Sequence, residues 1–399
     1  MTETYKSTSS LFSTMFECDD CGNSYELETD IQICECGEPL RLDLFTGEIK
    51  KGEDIWERYA EFFPLEIEDD LKLGEGGTPL SRAPKISKSL DLDLYLKNET
   101  MNPTWSFKDR GTVLSVQRAL DIQKTKLGTV STGNMAASVS AYGARRDMET
   151  FVLVPSDISE KKVSQISSYG PNIIKVHGDY GELYYESFDL AEGCIHFTNS
   201  NSPFRVEGYK TMAFEIFEEI KPDYVIIPTS SGGLFRGITK GIKELQMSGI
   251  IDYFPTLVSV QAEGCSPICR AYESGEDKIK RWSKPDTKAN AISNPFPPGG
   301  NDVLKKLKEL GGICTSVSDE EIAAAQKKIA REGVFCQPSS AVGVAALKEL
   351  RNKGIIEEGA DVVSIITGSG LKTGSVYDTD EKTVRCDIKN LEDHVSNFL

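Results

Sequence analysis

The hydrophobic pattern separates an irregular beginning from a long, regular body. From Leu44 to Leu71 charged and aromatic residues alternate with no clear period, which predicts a connecting segment with one short helix near Trp56. Leu92 to Leu96 alternates apolar and polar side chains, the mark of a half-buried strand, and a helix is expected from Gly111 to about Ile122. Strand and helix patterns then take turns. Strands are predicted over 128–131, 150–155, 172–176, 195–198, 224–228, 257–262 and 362–366, with a helix from Met135 to Arg146 behind the first of these.

Strands that alternate with helices form a parallel sheet covered on both faces, so the fold class is α/β. This many units calls for two sheets, or for one sheet with an inserted half. Ligands in such folds sit beyond the carboxyl ends of the strands, and the glycine-rich turns of this chain fall at those ends.

Composition narrows the function. With 399 residues the chain can bury a sizeable core in roughly two or three domains. Its 62 acidic and 45 basic residues give a net charge of -17, which disfavours nucleic acid and acidic membrane surfaces as partners. No uninterrupted apolar segment is long enough to span a bilayer, and residues 1–13 are polar, so a soluble cytoplasmic protein is expected. Ten scattered cysteines do not make a secreted disulfide scaffold, and reduced thiols are expected. The three histidines, His177, His196 and His394, sit in no catalytic pattern and read as structural.

Two cysteine pairs stand before the body. Cys18-Asp19-Asp20-Cys21-Gly22 and Cys34-Glu35-Cys36-Gly37 offer four thiolates, each pair followed by a glycine that lets the backbone turn. Four thiolates suit a tetrahedral zinc, although the second pair has one intervening residue where two or more is usual. Such a site is closed and structural, and a relic ribbon with free thiols would carry the same residues.

The candidate chemistry centres on Lys108, in Asn102-Pro103-Thr104-Trp105-Ser106-Phe107-Lys108-Asp109-Arg110-Gly111. A lysine that is desolvated, or crowded by a cation such as Arg110, releases its proton easily and can form a Schiff base with an aldehyde. A solvated lysine at a helix start is the plain alternative. Ser131-Thr132-Gly133-Asn134 closes one strand and opens one helix, and can grip a carboxylate or merely cap that helix. After the strand ending at Pro228, Thr229-Ser230-Ser231-Gly232-Gly233-Leu234 suits a phosphate, and it lacks the lysine of a nucleotide-binding loop. The last strand ends in Thr367-Gly368-Ser369-Gly370-Leu371-Lys372, which puts a hydroxyl at another loop mouth. One lysine, a carboxylate loop, a phosphate loop and a hydroxyl for a ring nitrogen make a site for pyridoxal 5'-phosphate.

In this order the motifs resemble the threonine synthase family, within the pyridoxal-phosphate enzymes of the tryptophan-synthase β fold, known as fold type II. The resemblance runs from the cysteine pairs through Lys372. It implies a zinc-ribbon-like appendage over 14–42, a large cofactor-binding α/β domain over 43–119 and 216–399, a small mobile α/β domain over 120–215, and a homodimer. Lys108 would be the Schiff-base lysine and proton carrier, and Asn134 would meet the cofactor's phenolic oxygen. Ser230, Ser231, Gly232, Gly233 and Leu234 would cradle its phosphate, and Thr367 would face its pyridine nitrogen. Ser131 and Thr132 would hold the substrate. In Asn199-Ser200-Asn201-Ser202-Pro203-Phe204-Arg205, the residues Asn199, Ser200 and Arg205 would take a substrate phosphate. A surface salt bridge is the plain alternative for Arg205. The implied reaction joins water to O-phosphohomoserine to give threonine and phosphate.

The chain departs from the family's pattern at the site. Trp105 stands where glycine is usual and would crowd the cofactor or line the entrance. Met135 replaces a threonine, Ser230 to Leu234 replace a Gly-Asn-Ala-Gly-Asn loop, and Ser369 replaces a histidine. Two other functions therefore stay open: a related enzyme that dehydrates serine or threonine or replaces a β substituent, and a non-catalytic paralogue.

Overall fold

The computed structural model describes residues 15–27, 29–131, 133–156, 158, 160–178, 180–200, 202–376 and 386–396. Thr132 lies outside them. Three sheets organise the chain. The first is a small antiparallel ribbon in which β1 (Met15–Cys18) lies between β2 (Ser24–Glu26) and β3 (Leu40–Arg41).

Strands β4 (Leu80–Arg82) and β5 (Asp93–Asn98) begin the largest sheet. The chain then leaves it to build a second sheet from β6 (Lys126–Val130), β7 (Glu149–Pro155), β8 (Asn172–Val176) and β9 (His196–Phe197). These four run parallel in the order β8-β7-β6-β9. The chain returns with β10 (Tyr224–Pro228), β11 (Thr256–Ala262), β12 (Ile313–Val317) and β13 (Asp361–Ile366). The large sheet has the order β12-β11-β10-β13-β5-β4, parallel except for the edge strand β4. Of the two arrangements the strand count allowed, the chain adopts two sheets. The pattern missed β4 and β12. β4 is three residues long, and β12 carries Thr315 and Ser316 half-buried within an otherwise apolar run, so neither shows a clean period.

The central strands are buried on both faces, which explains their near-continuous apolar runs: Val225, Ile226 and Ile227, and Val362, Val363, Ile365 and Ile366, are all inaccessible to solvent. Helices Lys108–Asp121, Pro203–Glu219 and Gly233–Met247 pack on one another and join the two sheets. Their contact is close because glycines sit at the crossings. A Cβ on Gly208 would lie 1.9 Å from the Arg110 carbonyl oxygen, and one on Gly237 would lie 2.6 Å from Tyr209.

The ribbon is tied to this body by apolar and polar contacts. Phe16 meets Phe204 edge to face at 6.1 Å, and the Arg236 guanidinium donates to the Leu40 carbonyl at 2.8 Å. His196 Nδ1 lies 2.6 Å from Asp30 Oδ1, a structural link between β9 and the segment behind the ribbon. The expectation of reduced thiols fails at one pair, since Cys269 and Cys314, 5.2 Å apart at Cα, are joined as a disulfide between a helix and β12. The other eight cysteines are free. No helix among the described residues is long and apolar enough to cross a membrane.

Candidate active site

A cavity of about 380 Å³ opens where β6, β10 and β13 end. Lys108 lies on its wall in the first turn of the helix Lys108–Asp121, three residues earlier than the pattern suggested. The start of that helix is fastened to the end of β13. Phe107 N–H donates to the Thr367 carbonyl at 3.0 Å, Ser106 bridges Gly368, and Ser369 N–H donates to the Trp105 carbonyl at 3.0 Å. Two motifs about 260 residues apart in sequence thus form one floor.

Withdrawal from water, followed by the nearby Arg205 guanidinium, lowers the Lys108 pKa from its ordinary 10.5 to about 7. The amine sits over two rings, 4.4 Å from the Phe107 centroid and 5.6 Å from that of Tyr209. Arg110, expected to supply the crowding charge, does not. Its guanidinium points into the core, where it meets Glu99 at 2.7 Å and Glu215 at 2.5 Å. Sequence adjacency misled here because neighbours on a helix face different ways.

Asp109 is also buried, and accepts from Thr104 N–H at 2.7 Å, Thr104 Oγ1 at 2.6 Å and Ser138 Oγ at 2.6 Å. It locks the lysine loop to the helix Asn134–Arg145 of the smaller sheet. The glycine turn before β4 supports the same loop from below: Gly76 N–H donates to Asn102 Oδ1 at 3.0 Å, and Gly77 N–H to Glu215 Oε1 at 3.0 Å.

Ser131, Gly133, Asn134, Ser200, the run Ser230 to Leu234, and Thr367 all line the cavity with Lys108. Asn134 Nδ2 donates to Gln337 Oε1 at 3.1 Å, and Thr367 Oγ1 shares a 2.8 Å hydrogen bond with Ser340 Oγ. Gln337, the residue before the helix Pro338–Asn352, also lines the cavity, and the sequence reading missed it. The proline at the helix start was its one available signal. Also missed were Asn294, whose amide donates to Ser231 Oγ at 3.0 Å, and Tyr184, Tyr185 and Arg281. These lie in segments with no recognisable motif.

Asn199 and Arg205 stand behind the wall rather than in it. Asn199 Oδ1 accepts from Val130 N–H at 3.0 Å and its amide donates to Ser187 Oγ at 2.9 Å, which holds the end of β6 in place. Arg205 is inaccessible to solvent and donates to Tyr209 OH at 2.9 Å, Thr112 Oγ1 at 3.0 Å and the Lys108 carbonyl at 3.3 Å. Neither lines the cavity. Trp105 does not crowd it either: the ring is turned outward and 44% exposed. Its backbone explains why glycine suits the position, since φ is +65°. Met135 does line the cavity, and its sulfur accepts a long 3.9 Å contact from Ser200 Oγ.

The phosphate loop fits its expected ligand. Gly232 adopts φ +95°, and no side chain caps the helix Gly233–Met247, so its first N–H groups and its positive dipole end are open to an anion. A Cβ on Gly233 would lie 2.8 Å from the Ser200 carbonyl oxygen, so the backbone here is as close as glycine allows. The helix Asn134–Arg145 likewise begins without a side-chain cap.

The four ribbon cysteines converge, with every sulfur within 4.8 Å of the others, Cys18 and Cys36 at 3.6 Å and Cys21 and Cys34 at 3.5 Å. Tetrahedral thiolates about 2.3 Å from zinc would lie roughly 3.8 Å apart, so the cluster has the right size.

A lysine of lowered pKa beside an uncapped phosphate loop, under the carboxyl ends of a parallel sheet, defines a pyridoxal-phosphate enzyme. Residues 71–368 match the family described as pyridoxal-phosphate dependent enzyme, and the chain belongs to that family. Within it the chain belongs with the threonine synthases. It is 40% identical over 373 residues to the threonine synthase of Methanocaldococcus jannaschii, covering 89% of this chain and 92% of that protein. It is 36% identical to the threonine synthase of Methanosarcina acetivorans, covering 89% and 91%. Among solved structures it resembles the processed form of threonine deaminase isoform 2 from Solanum lycopersicum, with TM-score 0.65, 20% identity, and 89% and 96% coverage. It also resembles maize serine racemase, with TM-score 0.64, 21% identity, and 80% and 92% coverage. At these identities the two structures speak for the fold alone.

Proposed function

We propose that this chain converts O-phosphohomoserine and water into threonine and phosphate, with Lys108 holding pyridoxal 5'-phosphate and carrying the protons. The observation that carries this reading is Lys108 itself: an amine with a pKa of about 7, on the wall of a cavity that also holds an open phosphate loop. At neutral pH such a group both takes and returns protons.

The loop from Ser230 to Leu234, with the first turn of the helix Gly233–Met247, would receive the cofactor phosphate. Asn134 would meet its phenolic oxygen, and Thr367, oriented by Ser340, its ring nitrogen. A hydroxyl partner leaves that nitrogen largely unprotonated. The bound cofactor supplies an electron sink for the charge that forms at Cα. Ser131 and the N–H groups beside Gly133 suit the substrate carboxylate, and we assign Thr132 to the same task from its place in the motif. Lys108 takes protons from Cα and then Cβ, the Cγ–oxygen bond to phosphate breaks, water adds at Cβ, and protons return to Cγ and Cα. Ser200, on the cavity wall, reaches the substrate side, while Asn199 holds the wall and Arg205 tunes the lysine from behind.

We further propose that Cys18, Cys21, Cys34 and Cys36 hold one structural zinc, supported by the size of the cluster. By family resemblance the chain works as a homodimer, and its acidic charge and mostly free cysteines suit the cytoplasm. Met135 favours a second reading, because a thioether in place of a hydroxyl removes a substrate contact. In that reading the enzyme dehydrates serine or threonine or replaces a β substituent. Purified holoenzyme given O-phosphohomoserine, serine and threonine in separate reactions distinguishes the two. Equal amounts of threonine and phosphate from the first substrate support the proposal. A keto acid and ammonia from serine or threonine, with no phosphate released from the first, would overturn it.

A further inference from the structure

One buried side chain reaches both residues assigned to the ring of the cofactor. Gln337, 3% exposed and on the cavity wall, accepts from Asn134 Nδ2 at its Oε1, 3.1 Å away, and donates from its Nε2 to Thr367 Oγ1 at 3.4 Å. Asn134 opens a helix of the smaller sheet, and Thr367 follows β13 of the larger one. A single amide therefore spans the joint between the two sheets. Its main chain is pinned as well: Gln337 N–H donates to the Gly368 carbonyl at 3.0 Å, and the Gln337 carbonyl accepts from Ser340 N–H at 2.9 Å. Gly368 leaves little room beside it, since a Cβ there would lie 3.1 Å from Gln337 Nε2 and 3.2 Å from Asn134 Nδ2.

The directions of these bonds follow from counting protons. Ser340 Oγ accepts from Gly368 N–H at 3.0 Å and has one proton of its own to give. Thr367 Oγ1 lies 2.8 Å away and the Gly368 carbonyl 3.2 Å, and that carbonyl already accepts from Gln337 N–H, so the proton goes to Thr367. Thr367 Oγ1 then accepts twice, from Ser340 and from Gln337 Nε2. With both lone pairs engaged, the hydroxyl has only its proton left to offer to the cavity it lines.

We propose that Gln337 is a positioning residue that fixes Thr367 as a donor toward the ring nitrogen of pyridoxal 5'-phosphate and so keeps that nitrogen unprotonated, while its oxygen holds the Asn134 amide. The inference rests on the cofactor contacts assigned above, and goes beyond them by naming the residue that sets the direction of the Thr367 proton. A carboxylate in the same place would reverse that direction, because it has only acceptors: Thr367 would donate to it and present a lone pair to the cavity. An acceptor there favours a protonated ring nitrogen.

The test uses holoenzyme loaded with pyridoxal 5'-phosphate that carries an NMR-active nitrogen isotope in its ring, and reads the ring-nitrogen shift at neutral pH. Wild type should show the shift of a neutral, hydrogen-bonded pyridine. Gln337→Glu should move it most of the way to that of the protonated ring. Gln337→Met, which fills the space with neither donor nor strong acceptor, frees one lone pair of Thr367 and should move it in the same direction by less, so the direction can be read even if the glutamate variant loads poorly. In a Thr367→Val background the Gln337→Glu change should lose most of its effect, which a merely structural role, or a carboxylate acting on the ring by its charge alone, would not produce. A protonated nitrogen in wild type, a shift equal in wild type and both Gln337 variants, or a glutamate effect that persists without the Thr367 hydroxyl overturns the proposal. If wild-type protein makes no threonine from O-phosphohomoserine, the reaction assigned above fails, while the ring-nitrogen shift needs no turnover and still decides the role of Gln337.

Discussion

The Arg205 guanidinium donates to the Lys108 main-chain oxygen at 3.3 Å and, after burial, is the cause that lowers the Lys108 pKa. Removing that charge while keeping a donor should let the amine hold its proton to higher pH. Arg205→Gln is therefore expected to shift upward the pH at which apoprotein takes up pyridoxal phosphate at half its maximal rate, from near 7 in the wild type, because only the neutral amine condenses. An unshifted profile would show that burial alone sets the lysine.

The network of Arg110, Glu99, Glu215 and Lys97 is almost wholly buried. Burial alone would raise the Glu215 carboxyl, but Arg110 and then Lys97 outweigh it and hold its pKa at about 2, against an ordinary 4.5. A lowered carboxyl pKa stabilises the fold fully above pH 4.5, and the contribution fades as pH falls toward 2. Glu215→Gln should cost about 3 kcal/mol at pH 7, because it leaves buried cations short of an acid. Urea unfolding of both proteins across pH should show the difference shrinking below pH 4.5. A difference that stays constant down to pH 3 would exclude this network as its source.

At Trp105, φ is +65°, a conformation that costs a residue with a Cβ about 1 to 2 kcal/mol. Comparing two variants isolates that cost from the loss of the ring. Trp105→Gly should unfold at higher urea than Trp105→Ala by about 1 kcal/mol, after allowance for the extra freedom of glycine in the unfolded chain. The reverse order would mean that the positive φ carries no strain.

The ribbon should hold about one zinc per chain. Lys306 reaches Asp19 at 3.2 Å and Asn301 reaches Glu38 at 2.6 Å, so its folding is coupled to the helix Gly300–Glu309. Cys36→Ser should lose the metal and lower the thermal midpoint, as should a chelator. Metal analysis together with thermal unfolding checks both, and an unchanged midpoint after loss of zinc would contradict a structural role.

Much of this was legible in the sequence, and for physical reasons. The strands β5 to β8, β10, β11 and β13 are long or apolar enough to carry a period, and the loops at Ser131, Ser230 and Thr367 mark the carboxyl ends of three of them with hydroxyls and glycines. What failed was everything that depends on direction. Arg110 follows Lys108 by two positions and faces the opposite way, while Arg205 is distant in sequence and lies behind it. Arg281 and Tyr184 carry no motif because a single side chain reaching a cavity needs no fixed neighbours.

The central claim is that Lys108, alone among the lysines, carries the cofactor. A rival exists in Lys372, whose amine is buried with no hydrogen-bond partner and whose pKa burial lowers to about 8, with Asp109 pulling the other way. Lys372 does not line the cavity. Reduction of the holoenzyme with borohydride, followed by proteolysis and peptide mass mapping, fixes the cofactor to whichever amine bears it. The account predicts the reduced cofactor on the peptide containing Lys108 and none on that containing Lys372, and cofactor on Lys372 or any other lysine would contradict it.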